Sequence, residues 1–191
     1  MNKIKNKVLK TIIIIYIVSI VLGVLTYLLS TLNIDNTILN YINSFKDNVN
    51  YISGLKRTII HNLNYSFFIW ISGILIIGLI TSPITLFLRG LSLGITICSI
   101  IANFKLKGVI IALIMAISNI VLYEIIFILL SYYSINLSIK TFKTIKQNKQ
   151  INIKNYYKNY IIRYLILTTI LILSSFIDIY VVSTILKYII I

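Results

Sequence analysis

The chain has 191 residues, of which 59% are hydrophobic and 12% charged, and its mean hydropathy is +0.97. That composition excludes an ordinary soluble domain and makes the chain an integral membrane protein. The net charge of +14 would suit a nucleic-acid binder, but the cations flank apolar stretches instead of forming a separate basic module, so no nucleic-acid partner is expected.

The chain opens on Lys3, Lys5, Lys7 and Lys10, and a first apolar span follows over residues 11–32. The start resembles a secretory signal, but the span exceeds the usual hydrophobic core of one and lacks a well-placed small-x-small cleavage site, so it is read as retained. Residues 37–60 come next. Ile38, Ile42, Phe45, Val49 and Ile52 recur there at spacings of three and four, with Asn40, Asn43, Lys46, Asp47 and Asn50 on the other face. This predicts an extracytoplasmic amphipathic helix. It either lies in the membrane interface or offers those five residues as a docking face for a partner, and the two uses are compatible.

From Asn62 to Phe104 a single charged side chain, Arg89, interrupts an apolar run. The run is about twice the ~20 residues that cross a bilayer, so it folds back on itself. Thr81-Ser82-Pro83, with the one proline of the chain, marks the expected break, giving spans over residues 65–82 and 83–104. A fourth span covers residues 108–133 and a fifth residues 160–187. The expectation is therefore an all-α, polytopic transmembrane bundle of about five spans, a single membrane domain over residues 1–191.

Between the last two spans, residues 138–159 form a basic loop carrying Lys140, Lys143, Lys146 and Lys149, with no acid among them. Translocating cations is costly and anionic lipid attracts them, so this loop and the N-terminus belong in the cytoplasm, with anionic lipid as the partner of those four lysines. The C-terminus then lies outside.

Small residues recur every four positions as Gly90, Gly94, Cys98 and Ala102 on the third span, and as Gly108, Ala112 and Ala116 on the fourth. In lipid such ridges permit close backbone approach, which predicts that spans three and four pack on one another. Two acids, Glu124 and Asp178, fall within spans, where an ionisable group is costly and usually faces protein or water. At about 1.5 Å of rise per residue, Glu124 and Arg89 reach similar depths, so an intramembrane ion pair between them is expected. Its alternative is an Arg89 that snorkels to the headgroups beside a neutral Glu124. Asp178 has no cation at hand, and a proton relay built on these two acids alone would be sparse.

Enzyme motifs are missing: the sequence contains no GxSxG, no HExxH and no phosphate-cradling glycine loop. A lone Cys98 and a lone His61 exclude an internal disulfide, a thiolate cluster and a multi-histidine metal site. No cofactor is expected.

The run from Asn62 to Asn103, with its polar lead-in, aromatic first arm, Ser72-Gly73, Gly78, Pro83 and Arg89-Gly90-Leu91-Ser92-Leu93-Gly94, followed by Lys107-Gly108, resembles the core of the stage II sporulation protein M family. Where family members usually carry a proline-bearing stretch in the fourth span, this chain reads Ser118 to Glu124 without one. The resemblance implies a non-enzymatic scaffold of the bacterial cytoplasmic membrane that anchors extracytoplasmic peptidoglycan-degrading partners, the D and P proteins of the same sporulation stage, during engulfment. It equally admits an accessory of bacteriocin production, immunity or a transporter system, and it leaves homo-oligomerisation open.

Overall fold

The computed structural model describes residues 2–29, 51–146, 153–182 and 184–185, and among these every regular element is helical. Helix α1 is Asn2–Leu29 and α2 is Tyr51–Ile74. Helix α3, Gly78–Asn119, runs into a π-helical turn at Ile120–Glu124 and on into α4, Ile125–Lys146. Helix α5, Ile153–Ile177, ends in a second π turn at Asp178–Val182.

Helix α1 shows how lipid shapes the surface. Ile12, Tyr16, Ser19 and Gly23, spaced by three and four, are buried, while Ile14, Ile17, Val18, Val21, Leu25 and Leu28 point outward. An apolar exterior of this kind is unfavourable in water and ordinary in a bilayer. Three stretches, Asn6–Leu29, Gly78–Lys146 and Tyr156–Val182, are long and apolar enough to cross a membrane. The second cannot cross once: its 69 residues would extend about 100 Å if straight. It doubles back at Lys105, whose backbone (φ 49°, ψ −124°) is not helical. Past the reversal Gly108 lies against Ile100, Ile101 and Phe104, where a side chain would collide. Ile100, Ile111 and Ala112 form a small core at this end.

The break between α2 and α3 is not where the hydroxyl-proline signal put it. The chain turns at Ile76, which adopts φ 67°, and Pro83 lies inside α3 at its sixth residue. Two interactions explain the displacement. Ser82 is fully buried and donates across to Ser134 Oγ at 2.9 Å, so it serves the neighbouring helix instead of capping its own. Gly73 and Gly78 bracket the turn, and a Cβ on either would come within 2.5 Å of Tyr160 Oη or Ser134 Oγ. Their bareness lets the turn press against α4 and α5. A β-branched residue in the left-handed region costs about 1–2 kcal/mol, so this packing has to hold Ile76 in place.

Helix α2 also begins earlier than the expected 65, continuing without a break from Tyr51 through the polar residues Asn62 and Asn64. The amphipathic segment and the first arm of the hairpin are thus one helix over the residues described. Most of the amphipathic segment, including Ile38, Ile42, Phe45 and Val49, lies outside them.

The core is central to the bundle: Ile12 of α1, Ile69 of α2, Leu86 of α3, Phe127 and Leu130 of α4, and Leu167 and Leu171 of α5. Buried serines fill the gaps between helices. Ser19, Ser66, Ser72 and Ser175 donate to carbonyls three or four residues back in their own helix, so each can be buried without an orphan hydroxyl.

Candidate functional site

Polar side chains converge on a cleft of about 400 Å³ within the bundle. Helix α2 contributes Arg57, Thr58, His61, Asn62 and Tyr65. Helix α3 contributes Arg89, Ser92 and Thr96, and the two π turns contribute Tyr123, Glu124 and Asp178. In a helix, residues 57–58, 61–62 and 65 recur on one face, and so do 89, 92 and 96, which is why two facing helices can line one hollow.

At the centre is an ion pair. Arg89 Nη2 and Nε lie 2.9 Å and 3.0 Å from the same oxygen, Glu124 Oε1. The pair is withdrawn from solvent, with Arg89 11% and Glu124 2% exposed. Arg89 Nη1 reaches Asn62 Oδ1 at 3.5 Å, and its guanidinium carbon lies 3.7 Å from the centroid of the Phe127 ring and 5.4 Å from that of Tyr65. A charge at membrane depth is tolerable only with such company: a counter-charge, an amide acceptor and aromatic faces for the cation. Arg89 is thus held inside the bundle, and the snorkelling alternative is not the arrangement found.

The grip is one-sided. Glu124 Oε2 is buried on the side away from Arg89, and the buried Tyr16 hydroxyl lies close enough to Glu124 to serve as its donor. Asp178, which had no evident partner in the sequence, accepts a hydrogen bond from Tyr123 Oη at 2.9 Å. Both carboxylates therefore sit on π turns, and the two turns meet through Tyr123. A π turn inserts an extra residue into the helical register and re-aims the side chains around it, a device found often at functional sites. At the edge of the cleft His61 packs on the Tyr65 ring.

The small-residue ridge divides between two partners, which corrects the expectation that it joins spans three and four as one seam. Gly90 and Gly94 lie against α1: Gly90 faces Ser19 Oγ and the Tyr16 carbonyl, and Gly94 faces the Ile20 carbonyl and Gly23. Gly108 and Ala112, on the returning arm, pack against the outgoing arm near Ile100. Cys98 and Ala116 are half-buried, and Ala102 is exposed. The reason is geometric: a four-residue step overshoots one turn by about 40°, so the ridge has rotated by about 120° between Gly90 and Ala102. Of the expected docking face, Ile52 is 77% exposed at the start of α2. Lys143 and Lys146 are exposed at the end of α4, and the Lys140 ammonium sits 4.1 Å from the centroid of the Tyr156 ring; Lys149 lies outside the described residues.

Asn62, Tyr16 and Tyr123 were not evident as site residues from sequence. A faint signal existed for two of them: Tyr16 falls on the buried three-four stripe of α1, and Asn62 is the polar residue that begins the apolar run. Nothing in the pattern marks Tyr123, whose role follows from the π register.

An all-helical bundle with an apolar exterior, a buried ion pair and three stretches long and apolar enough to cross a membrane fits a membrane protein. The family model described as stage II sporulation protein M matches residues 12–183, and the chain belongs to that family. Among curated proteins and among solved structures none matches it.

Proposed function

We propose that this chain is a non-enzymatic scaffold of the bacterial cytoplasmic membrane, anchoring an extracytoplasmic peptidoglycan-remodelling partner during engulfment in spore formation. The observation that carries the reading is family membership over residues 12–183. In this reading the bundle crosses the membrane five times: α1, α2, the two arms of α3–α4 on either side of Lys105, and α5. The lysine-rich N-terminus and the basic end of α4 share the cytoplasmic face, where Lys140, Lys143, Lys146 and Lys149 meet anionic lipid. The reversal at Lys105 and the residues before α2 then lie outside. Ile38, Ile42, Phe45, Val49 and Ile52 are the docking face for the hydrolase, because an apolar stripe on an interfacial helix can seat in a partner's groove.

Co-purification tests this directly. A peptidoglycan amidase expressed with the full chain should be retained through it, and Ile42→Asp or Phe45→Asp should weaken retention; unchanged retention rejects the docking face. Accessibility of single cysteines introduced at Lys105 and Lys143 in a Cys98→Ser background should differ between the two sides of the membrane. The polar cleft favours a second reading, an accessory protein of a transporter or of bacteriocin production or immunity. Retained bacteriocin resistance without any amidase capture would favour it over the scaffold.

A further inference from the structure

Two arginines, Arg89 and Arg163, lie within stretches able to cross a membrane, and the fold treats them differently. Arg89 is met by Glu124. Arg163 is exposed on α5, and among the described residues it forms no ion pair and donates no hydrogen bond. Its surroundings in sequence supply no acid either: residues 125–177 carry seven cations and no carboxylate. An arginine at membrane depth has five N–H donors that need acceptors, and here the acceptor has to come from outside the chain.

What the fold does supply is a fixed position. The Arg163 guanidinium lies 4.6 Å from the centroid of the Tyr133 ring on α4, and the Lys140 ammonium of α4 lies 4.1 Å from that of Tyr156 on α5. The two helices thus exchange cation and ring across one antiparallel seam. On each helix the cation and the ring are two turns apart, so both pairs fall on one side of the seam, about 10 Å apart along it. A helical side chain leans toward the N-terminus of its own helix, so Lys140 and Arg163 lean toward one another. Each ring holds one face of its cation and leaves the N–H edge of Arg163 to an acceptor. Deeper in the span the same face of α5 continues with Ile166 and Ile170, both exposed. An acceptor suited to this place is an anion seated beside two cations and joined to an apolar tail. A phospholipid is built that way, and one without a cationic headgroup fits best, since a headgroup ammonium would stand beside Lys140 and Arg163 with no acid to receive it. We propose that the α4–α5 seam holds one anionic phospholipid, of the phosphatidylglycerol class, with its phosphate between Arg163 and Lys140 and an acyl chain along Ile166 and Ile170. The site is discrete and centred on Arg163, unlike the general attraction of a basic loop to the membrane. It rests on the reading of this end of the bundle as embedded in lipid and not on the scaffold, so lipid retention and amidase capture succeed or fail separately.

The test uses the full chain, purified in detergent, stripped of lipid and titrated with phosphatidylglycerol or with phosphatidylethanolamine of the same acyl chains, the bound lipid being counted by native mass spectrometry. One phosphatidylglycerol should be retained per chain, bound about tenfold or more tighter than phosphatidylethanolamine, as expected for a charge-assisted contact. Arg163→Gln should remove that preference, and Arg163→Lys, which keeps the charge but not the fork, should keep part of it. Arg163 is exposed, so its replacement leaves the packing intact, and Lys140→Gln should weaken the same lipid independently. Lys146→Gln, exposed about 120° around α4 from Lys140, should leave binding unchanged. Equal retention of the two lipids overturns the proposal, as does a preference that survives both Arg163→Gln and Lys140→Gln. A loss with Lys146→Gln as large as with Arg163→Gln overturns it too, since it means diffuse attraction. Displacement of the phosphatidylglycerol by millimolar inorganic phosphate means a site for free phosphate and rejects the lipid.

Discussion

The two flanks of α3 are built on opposite principles, although Arg89 and Gly90 that face them are neighbours in sequence. Toward α1, Gly90 and Gly94 present no side chain, and backbone meets backbone at Tyr16, Ile20 and Gly23 with the Ser19 hydroxyl seated against Gly90. Toward α2, Arg89 reaches across a hollow to Glu124 and Asn62. One step along the helix is about 100° of rotation, enough to exchange a dry seam for a polar cleft. In lipid, where apolar burial gives helices little reason to associate, the seam supplies dispersion contact while the cleft concentrates the groups that can interact with something else. Stability and chemistry are thus assigned to different faces of one helix.

The comparison breaks most severely at the seam. Gly94→Leu would drive a side chain into the Ile20 carbonyl and the Gly23 backbone, neither of which can move aside, so loss of monodisperse protein in detergent is expected, a cost above about 3 kcal/mol. Gly54→Ala is the control: its Cβ would meet only Ile179 Cδ1 at an ordinary 3.6 Å, and the folded yield should not change.

On the cleft side, Glu124→Gln and Arg89→Gln should each lower folded yield and thermal stability by about 3–5 kcal/mol, because each leaves an uncompensated buried charge. The double variant Arg89→Met with Glu124→Met should recover much of that loss in unfolding experiments. A double variant no better than the singles would mean that the pair is not what the singles remove.

A smaller effect separates the two π turns. Tyr123→Phe deletes the hydrogen bond to Asp178 and should cost about 0.6–1.7 kcal/mol of unfolding free energy, the range found for interhelical hydrogen bonds in membranes.

What the amino-acid pattern makes legible follows from what each feature depends on. Membrane character and helicity depend on composition and run length, and both are readable directly. The depths of Arg89 and Glu124 depend on a fixed rise per residue, and the two side chains meet. The reversal at Lys105 lies in the Lys105 to Lys107 interruption that separates two apolar arms. The turn at Ile76 is different: its local residues carry no turn chemistry, and its cause is distant, in Ser134 and Tyr160 pressing on Gly73 and Gly78. The π turns are invisible for the same kind of reason, since a change of hydrogen-bond register needs no special residue. The ridge meets the expected partner at Gly108 and Ala112 but faces α1 at Gly90 and Gly94, because a period of four drifts around a helix that turns every 3.6 residues.

The seam between Gly23 and Gly94 also has a consequence for biosynthesis. The two residues are about 70 positions apart, so at synthesis rates of about 5–20 residues per second α1 waits roughly 4–14 seconds in the bilayer before its partner exists. During that wait its exposed Ile, Val and Leu side chains face lipid, as they do in the finished bundle, and the Ser19 hydroxyl is already satisfied by the Tyr16 carbonyl at 2.6 Å. Along the Ser19 and Gly23 seam a newly inserted α1 therefore shows the membrane no unsatisfied hydroxyl when the glycine face of α3 arrives.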